Sequence, residues 1–429
     1  MGDTEKEIKG ILKRIRARCI DRDFVSQELL DVVAKERVSA FPWRGQFTPG
    51  LVGVLLDTYA RQGATVLDPF VGSGTTLAEA TRRNMAVIGT EVNPAALELA
   101  RVFTLTELEP VERKSVLEQA RELLIGCILR GGDSLFGAAS GNLHEEVVTI
   151  YENASSVYES NIIAVTIMLA MGDKRVLEAG RLERALSQVS DVVTGLSSQV
   201  VPCSVHLADA RMLPVAKDSV DLIVTSPPYI NVFNYHQNYR PAIESLGWNV
   251  LSAAKTEIGS NRKHRQNRFL TVVQYAQDIM LAMREFRRVC RPGAHAIIVI
   301  GRESRVRGIA FANGEIIGCL AEILPGVEFV RWQERSFTNR FGEKIYEEVL
   351  TFKLTPTDDD VDLLPLATEI GRQMLIEGRS KADSPEIAAE VDAAIDGSGL
   401  VRPSTAFAPV RASSFILPRR PIVPLASEA

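Results

Sequence analysis

The sequence predicts an α/β fold: a mainly parallel, seven-stranded sheet covered by helices on both faces, closed by an antiparallel hairpin and carrying a helical insertion. Three observations predict it. Short apolar runs alternate with segments of helical period. Two of these runs end in turns rich in glycine or proline, at Gly72–Gly74 and Pro227–Pro228, where a doubly wound sheet places its ligands. The last two runs flank a turn-rich piece around Phe341 and Gly342 and read as a hairpin.

The elements follow in order. Ile8, Ile11, Leu12 and Ile15 have the spacing of an amphipathic helix, within an N-terminal helical extension of residues 1–40. Strands are expected at Ala64–Asp68, Ala86–Glu91, Ser204–Asp209, Asp221–Thr225, Ala294–Gly301, Val327–Phe337 and Glu347–Leu354. Residues 41–355 thus form the main domain, and the helix-patterned stretch of about 105–200 inserts into it. Beyond Pro356 the chain turns acidic and proline-containing, with little periodicity, so 356–429 reads as a partly disordered tail.

Composition narrows the function. The five cysteines are scattered without a CxxC pair and the five histidines are dispersed, which gives no disulfide framework and no metal site. No apolar run reaches the roughly 18 residues of a membrane span, and the charged start lacks a signal-peptide pattern, so a cytoplasmic protein is expected. The net charge of −5 is unevenly spread. Residues 230–355 hold 18 Lys+Arg against 12 Asp+Glu, while residues 356–429 hold 7 against 12. The acidic tail masks a basic segment that permits a polyanionic partner.

The first glycine-rich turn is Asp68-Pro69-Phe70-Val71-Gly72-Ser73-Gly74-Thr75-Thr76. Its glycines let a ligand approach the backbone closely. It lacks the lysine of a phosphate loop, and Asp68 puts negative charge beside the glycines, which suits a cationic ligand. Glu91, at the end of the next strand, stands where an acid reaches ribose hydroxyls in a dinucleotide fold. S-adenosylmethionine, with its sulfonium and ammonium, fits this chemistry. NAD is the competitor, although the third glycine of its fingerprint is missing. Capping of the following helices is the structural alternative for Asp68 and Glu91.

The second turn is Ser226-Pro227-Pro228-Tyr229. Two prolines directly after a buried strand cannot continue a ladder, so the chain leaves the sheet stiffly, with carbonyls free to accept bonds from a ligand.

With both turns in hand, the sequence resembles the S-adenosylmethionine-dependent DNA amino-methyltransferases, which act on cytosine N4 or adenine N6. Asp68–Thr76 looks like their cofactor motif and Thr225–Tyr229 like their catalytic motif. Phe47, before the first strand, is similar to a further cofactor element, Glu91 matches the ribose-binding acid, and Asp209 matches the residue near the adenine amino group. The resemblance covers roughly residues 41–104 and 204–301, with weaker cover to 354. It implies a Rossmann-like methyltransferase fold and transfer of a methyl group to the exocyclic amine of a flipped-out base. Ser226 and the Pro227 carbonyl would engage the amine, and Tyr229 would stack on the base. Serine at the first position is more typical of cytosine-N4 members. No covalent cysteine is required, and Cys203 lacks the context of a nucleophile.

Double-stranded DNA is the expected partner, with a cognate restriction endonuclease or defence system as a further one. Phosphate and base contacts are expected from the segment after Tyr229, at Arg240, Arg262, Lys263, Arg265 and Arg268. Only about 15 residues separate Asp209 from Ser226. Recognition therefore falls to the insertion, to the segment after Tyr229 or to a partner. The alternatives are an adenine-N6 enzyme, an RNA guanine-N2 methyltransferase, and a non-catalytic nucleic-acid-binding protein on the same scaffold.

Overall fold

The computed structural model describes residues 2–32, 38–132, 140–230, 235–260, 264–339, 342–357 and 361–407. The chain opens with helices α1 (Gly2–Arg16), α2 (Gln27–Asp31) and α3 (Pro49–Tyr59). Two βα units follow: β1 (Thr65–Asp68), α4 (Thr75–Arg82), β2 (Ala86–Glu91) and α5 (Pro94–Arg101). Four helices then precede the next strand, namely α6 (Pro110–Gly132), α7 (Ser140–Glu152), α8 (Val157–Met171) and α9 (Ala179–Thr194). After β3 (Cys203–Leu207) and β4 (Val220–Thr225) come α10 (Arg240–Ser245), α11 (Val250–Ala254) and α12 (Leu270–Val289). The C-terminal part holds β5 (Cys290–Gly301), a small hairpin β6 (Glu303–Val306) and β7 (Ile309–Ala312), α13 (Asn313–Ile323), the long pair β8 (Val327–Thr338) and β9 (Lys344–Leu354), then α14 (Leu364–Arg379) and α15 (Pro385–Gly397).

The main sheet has seven strands in the order β3-β2-β1-β4-β5-β9-β8. The first five run parallel, with Asp68 beside Gly89 and Val66 beside Leu222. The last two pair antiparallel, so Arg335 lies directly across from Glu347. Alternation along each strand sorts its side chains into two cores. Val66, Leu222, Val224, Ile297 and Val299 face one, with α3 to α10. Leu67, Ile223, Ile298, Ile300 and Leu350 face the other, with α1 and α12 to α15. Strands buried on both faces explain why they read as unbroken apolar runs.

The four helices α6 to α9 extend the first core. Nearly all of α8 is buried, and Asn161 on it donates to Glu98 Oε2 of α5 at 2.7 Å. Arg113 of α6 donates to the carbonyls of Thr106 and Gln199, tying the first inserted helix to the chain's return into β3. No helix among the described residues is long and apolar enough to cross a membrane.

The expected disorder beyond Pro356 does not hold between Leu364 and Phe407. There α14 lies on α12 and α1, burying Ala367, Ile370, Met374 and Leu375. A Cβ at Gly371 would fall 2.6 Å from the Val273 Cα, so the missing side chain is what lets the two helices approach. The prolines that read as breakers, Pro365 and Pro385, sit in first turns, where a missing N–H costs nothing. Residues 408–429, the rest of that tail, lie outside the described residues. The hairpin β6–β7 was not foreseen; its two-residue turn, Arg307-Gly308, has φ of 47° and 89°, as tight hairpins require.

If α14 is core, Leu375→Ala should cost about 2–5 kcal/mol of stability in urea unfolding. A loss below about 0.5 kcal/mol, the level of an ordinary surface site, would place the helix outside the core.

Candidate cofactor cleft and active site

Strand order reverses between β1 and β4, and a cleft of about 910 Å³ opens at the carboxyl ends of these strands. The loop after β1 forms its floor. Gly72 and Gly74 have φ of 51° and 89°. Gly74 is fixed by packing rather than by a ligand, because a Cβ there would fall 2.6 Å from the Phe103 ring. Gly72 faces Trp43, and its N–H donates to Glu91 Oε2 at 3.0 Å. Of the expected cofactor residues, Phe47, Asp68, Pro69, Phe70, Gly72, Thr75, Glu91 and Asp209 line the cleft, and Gly74 does not.

Asp68 is 2% exposed and binds three elements together. Its Oδ1 accepts from Thr225 Oγ1 at the end of β4 (2.6 Å) and from the Phe70 amide (3.1 Å). Its Oδ2 accepts from Thr76 Oγ1 in α4 (2.6 Å). Burial pushes its carboxyl up to about 6, while these donors pull it back. Glu91 accepts from Gly72, Val92 and Asn93 amides, which leaves one position of Oε2 open; burial pushes its carboxyl up to about 7.

Asp209 lines the cleft with its carboxylate engaged within the protein. Its Oδ1 accepts the Arg211 amide and Nε, and its Oδ2 accepts Arg211 Nη2 and the Phe407 amide, so all four lone-pair positions are filled. Arg211 also reaches Asp278 Oδ1 on α12 (2.7 Å) and the carbonyls of Thr256, Ser404 and Thr405. The segment Ser404–Phe407 is thereby strapped across the underside of the cleft wall.

On the β4 side, Ser226 and Pro228 line the cleft, while Pro227 is buried and does not. Tyr229 does not line it either. Its ring packs on Gly301, where a Cβ would fall 2.8 Å away, and its hydroxyl donates to Glu347 Oε1 at 3.3 Å. One edge of the Tyr229 ring thus packs on β5 while the residue stays part-exposed. A Cβ at Gly259 would fall 2.2 Å from the Tyr229 carbonyl oxygen, so the loop 255–260 closes directly over the Ser-Pro-Pro-Tyr turn.

That loop brings three cleft residues that sequence reasoning missed: Thr256, Glu257 and Ile258. Glu257 accepts from the His236 amide at 3.0 Å and lies 3.1 Å from His236 Nδ1. Trp43, Tyr235 and Asn93 were missed too. Asn93 caps α5 through its carbonyl, which leaves its buried Nδ2 without a partner. The only sequence signal for Asn93 was the Asn-Pro pair at a helix start.

Arg240 begins α10 and pairs with Glu244 at 2.8 Å. Arg265 and Arg268 are exposed and line neither this cleft nor the wider depression lined by Arg44 and Arg175, whereas Arg262 and Lys263 lie outside the described residues. Cys203 is 1% exposed in β3, and burial holds its thiol protonated well above the ordinary range, which disqualifies it as a nucleophile.

Four carboxylates (Asp68, Glu91, Asp209 and Glu257) line the cleft, and among its described lining residues there is no lysine or arginine. Asp209 is neutralised by Arg211 and Glu91 ionises only towards about 7, but the described lining offers no cation to a pyrophosphate, which favours S-adenosylmethionine over NAD. The open position on Glu91 suits a ribose hydroxyl, and the orphaned Asn93 amide suits an acceptor on a base ring. The residues present fit the group.

A mostly parallel seven-stranded sheet of this order, with its cleft at the switch point, is a Rossmann-like fold. Residues 27–102 match the N6/N4 methyltransferase family, described as DNA methylase. The Type II methyltransferase M.MjaII of Methanocaldococcus jannaschii is 36% identical over 61 residues, 14% of this chain and 12% of that protein. This chain thus spans only about an eighth of that relative's length. From α2 through α5, with the cofactor loop and Glu91, the chain is similar to the DNA amino-methyltransferases; the matched segment stops short of Ser226.

Among solved structures, a SAM-dependent methyltransferase from Methanosarcina mazei is 14% identical, covering 71% of this chain and 98% of its own, with a TM-score of 0.33. The rRNA methyltransferase aviRa from Streptomyces viridochromogenes is 13% identical, covering 79% and 94%, with a TM-score of 0.29.

The Glu91 carboxyl sets a pH dependence. Folded, it keeps its proton to about 7 against an ordinary 4.5, so the ligand-free protein should lose stability as pH rises through that window. The ionised form is the better hydroxyl acceptor, so affinity for S-adenosylmethionine should rise over the same window and level off above about 7. Calorimetry from pH 5.5 to 8 checks this, with Glu91→Gln weaker and flat; a flat wild-type profile would remove the assignment.

Proposed function

We propose that this protein transfers a methyl group from S-adenosylmethionine to the exocyclic amine of a base in DNA, with cytosine N4 the first choice. The observation that carries the reading is the meeting, in one acidic cleft, of the glycine-turn floor and the Ser226-Pro227-Pro228 turn. S-adenosylmethionine supplies a methyl carbon made electrophilic by the adjacent sulfonium.

The chain's own residues do the rest. The base amine is a poor nucleophile because its lone pair is delocalised into the ring. Ser226, at the cleft wall, accepts a hydrogen bond from the amine, favours a pyramidal nitrogen and aims its lone pair across the cleft. Nitrogen gains the methyl carbon, the carbon–sulfur bond breaks with its electrons staying on sulfur, and the nitrogen then releases a proton to water. Asp68 holds the two turns at fixed separation through Thr225 and Thr76, so much of the acceleration is positional. A base reaches such a cleft only once it is out of the stack. Tyr229 acts from behind, bracing the turn against Gly301 and Glu347. The preference for cytosine rests on Ser226 alone.

Two measurements test this. In DNA from an expressing host, nucleoside mass spectrometry should find N4-methylcytosine. N6-methyladenine as the sole product would overturn the choice of base, and labelled methyl transfer to tRNA but not to DNA would overturn the choice of polymer. Ser226→Ala should lower kcat by about 10²-fold or more with affinity for S-adenosylmethionine unchanged. Undiminished kcat would remove the hydroxyl from the mechanism.

A further inference from the structure

A second, wider depression lies beside the cleft, with about 1410 Å³ of empty space. Its lining includes Arg44, His144, Arg175, Gln237, Asn238 and Arg240. It is joined to the cleft through two short segments. Trp43 and Gly45 line the cleft while Arg44, between them, lines the groove; Tyr235 lines the cleft while Gln237 and Asn238 line the groove. The two segments form one unit. The Trp43 ring stacks on Tyr235 (6.4 Å, 8°) and on Tyr239 (6.5 Å, 15°), and the Tyr239 hydroxyl donates to the Pro42 carbonyl at 2.9 Å.

The far wall comes from the inserted helices, with His144 on α7 and Arg175 on the connection between α8 and α9. Charge changes sign between the two spaces. The cleft has four carboxylates and no lysine or arginine among its described lining; the groove has three arginines against Asp173 and Glu244. Arg44 and Arg175 are exposed. Two buried polar atoms at the groove, Asn238 Nδ2 and His144 Nδ1, have no partner within the protein. Arg, Asn, Gln and His are the side chains that reach phosphates and base edges.

We propose that double-stranded DNA flanking the target base lies in this groove, and that the inserted helices supply one of its two reading walls. The inference rests on the DNA methyltransferase reading above and adds where the duplex lies and what reads it. An acidic cleft for a cationic cofactor beside a basic groove for a polyanion lets one flipped base cross from one to the other over the Trp43–Tyr235 stack.

The test combines Arg44→Glu and Arg175→Glu in the full chain and measures anisotropy of a labelled duplex of about 30 bp at several salt concentrations. Affinity should fall about tenfold or more, and the slope of log K against log salt should shrink by about 2, two phosphate contacts having been lost. Binding of S-adenosylmethionine by calorimetry should not change, which also shows that the variant is folded. Arg379→Glu, on α14 against the other core, should leave duplex binding as it was. Asn238→Ala and His144→Ala should alter which sequences are methylated when product DNA is sequenced. Unchanged duplex binding in the double variant, with a wild type that methylates DNA, overturns the groove and leaves the parent reading standing. A wild type that binds S-adenosylmethionine yet methylates no DNA overturns the parent reading. Loss of tRNA binding but not duplex binding in the double variant overturns DNA as the occupant.

Discussion

The buried carboxylate of Asp68 is the contact on which the site depends. At the end of β1 it takes hydrogen bonds from Thr76 in α4 and Thr225 at the end of β4, so one side chain fixes the glycine turn and the Ser-Pro-Pro turn relative to each other. The arrangement is possible because β1 and β4 are neighbours only through a crossover, with Val66 beside Leu222. Burial makes the charge costly, and the two hydroxyls and the Phe70 amide offset that cost. Without those donors the same carboxylate would be an unpaired buried charge at the centre of the sheet.

Additions to this centre are divided between the two faces. The inserted helices α6 to α9 deepen the core shared by Val66, Leu222 and Ile297, and they reach round to the groove beside the cleft. The C-terminal helices α14 and α15 deepen the opposite core with α1 and α12. From there the chain crosses back beneath the cleft, where Arg211 gathers Asp209, Asp278 and the Ser404 and Thr405 carbonyls. A buried arginine between two carboxylates is fully paired, and breaking such a set by removing one member is costly. The C-terminal strap is therefore part of the cleft wall, even though Ser404 lies 134 residues beyond Leu270, where α12 starts to form that side of the core.

The hairpin β8–β9 completes the far side. Arg335 and Glu347 face each other across the ladder, and Glu347 receives the Tyr229 hydroxyl, which links the edge of the sheet to the turn after β4. Tyr229 thus braces the motif through its hydroxyl and one ring edge.

The sequence by itself determined the seven strands, the two ligand turns and the carboxylates Asp68 and Glu91. Each is announced locally, by an apolar run, by glycines or prolines at its end, or by an acid at a fixed offset. The amphipathic α1 was legible for the same reason, and Ile8, Ile11, Leu12 and Ile15 are indeed buried. What only the tertiary structure decided has no local signature. Glu257 and Thr256 enter the cleft because a loop folds onto the Tyr229 carbonyl; Asp209 is closed because Arg211 and Phe407 reach it from distant segments; α14 is core because Gly371 admits Val273. Prolines at helix starts look like breakers in a sequence, and charges that will be paired look like solvated ones. Only the long-range partner shows which they are.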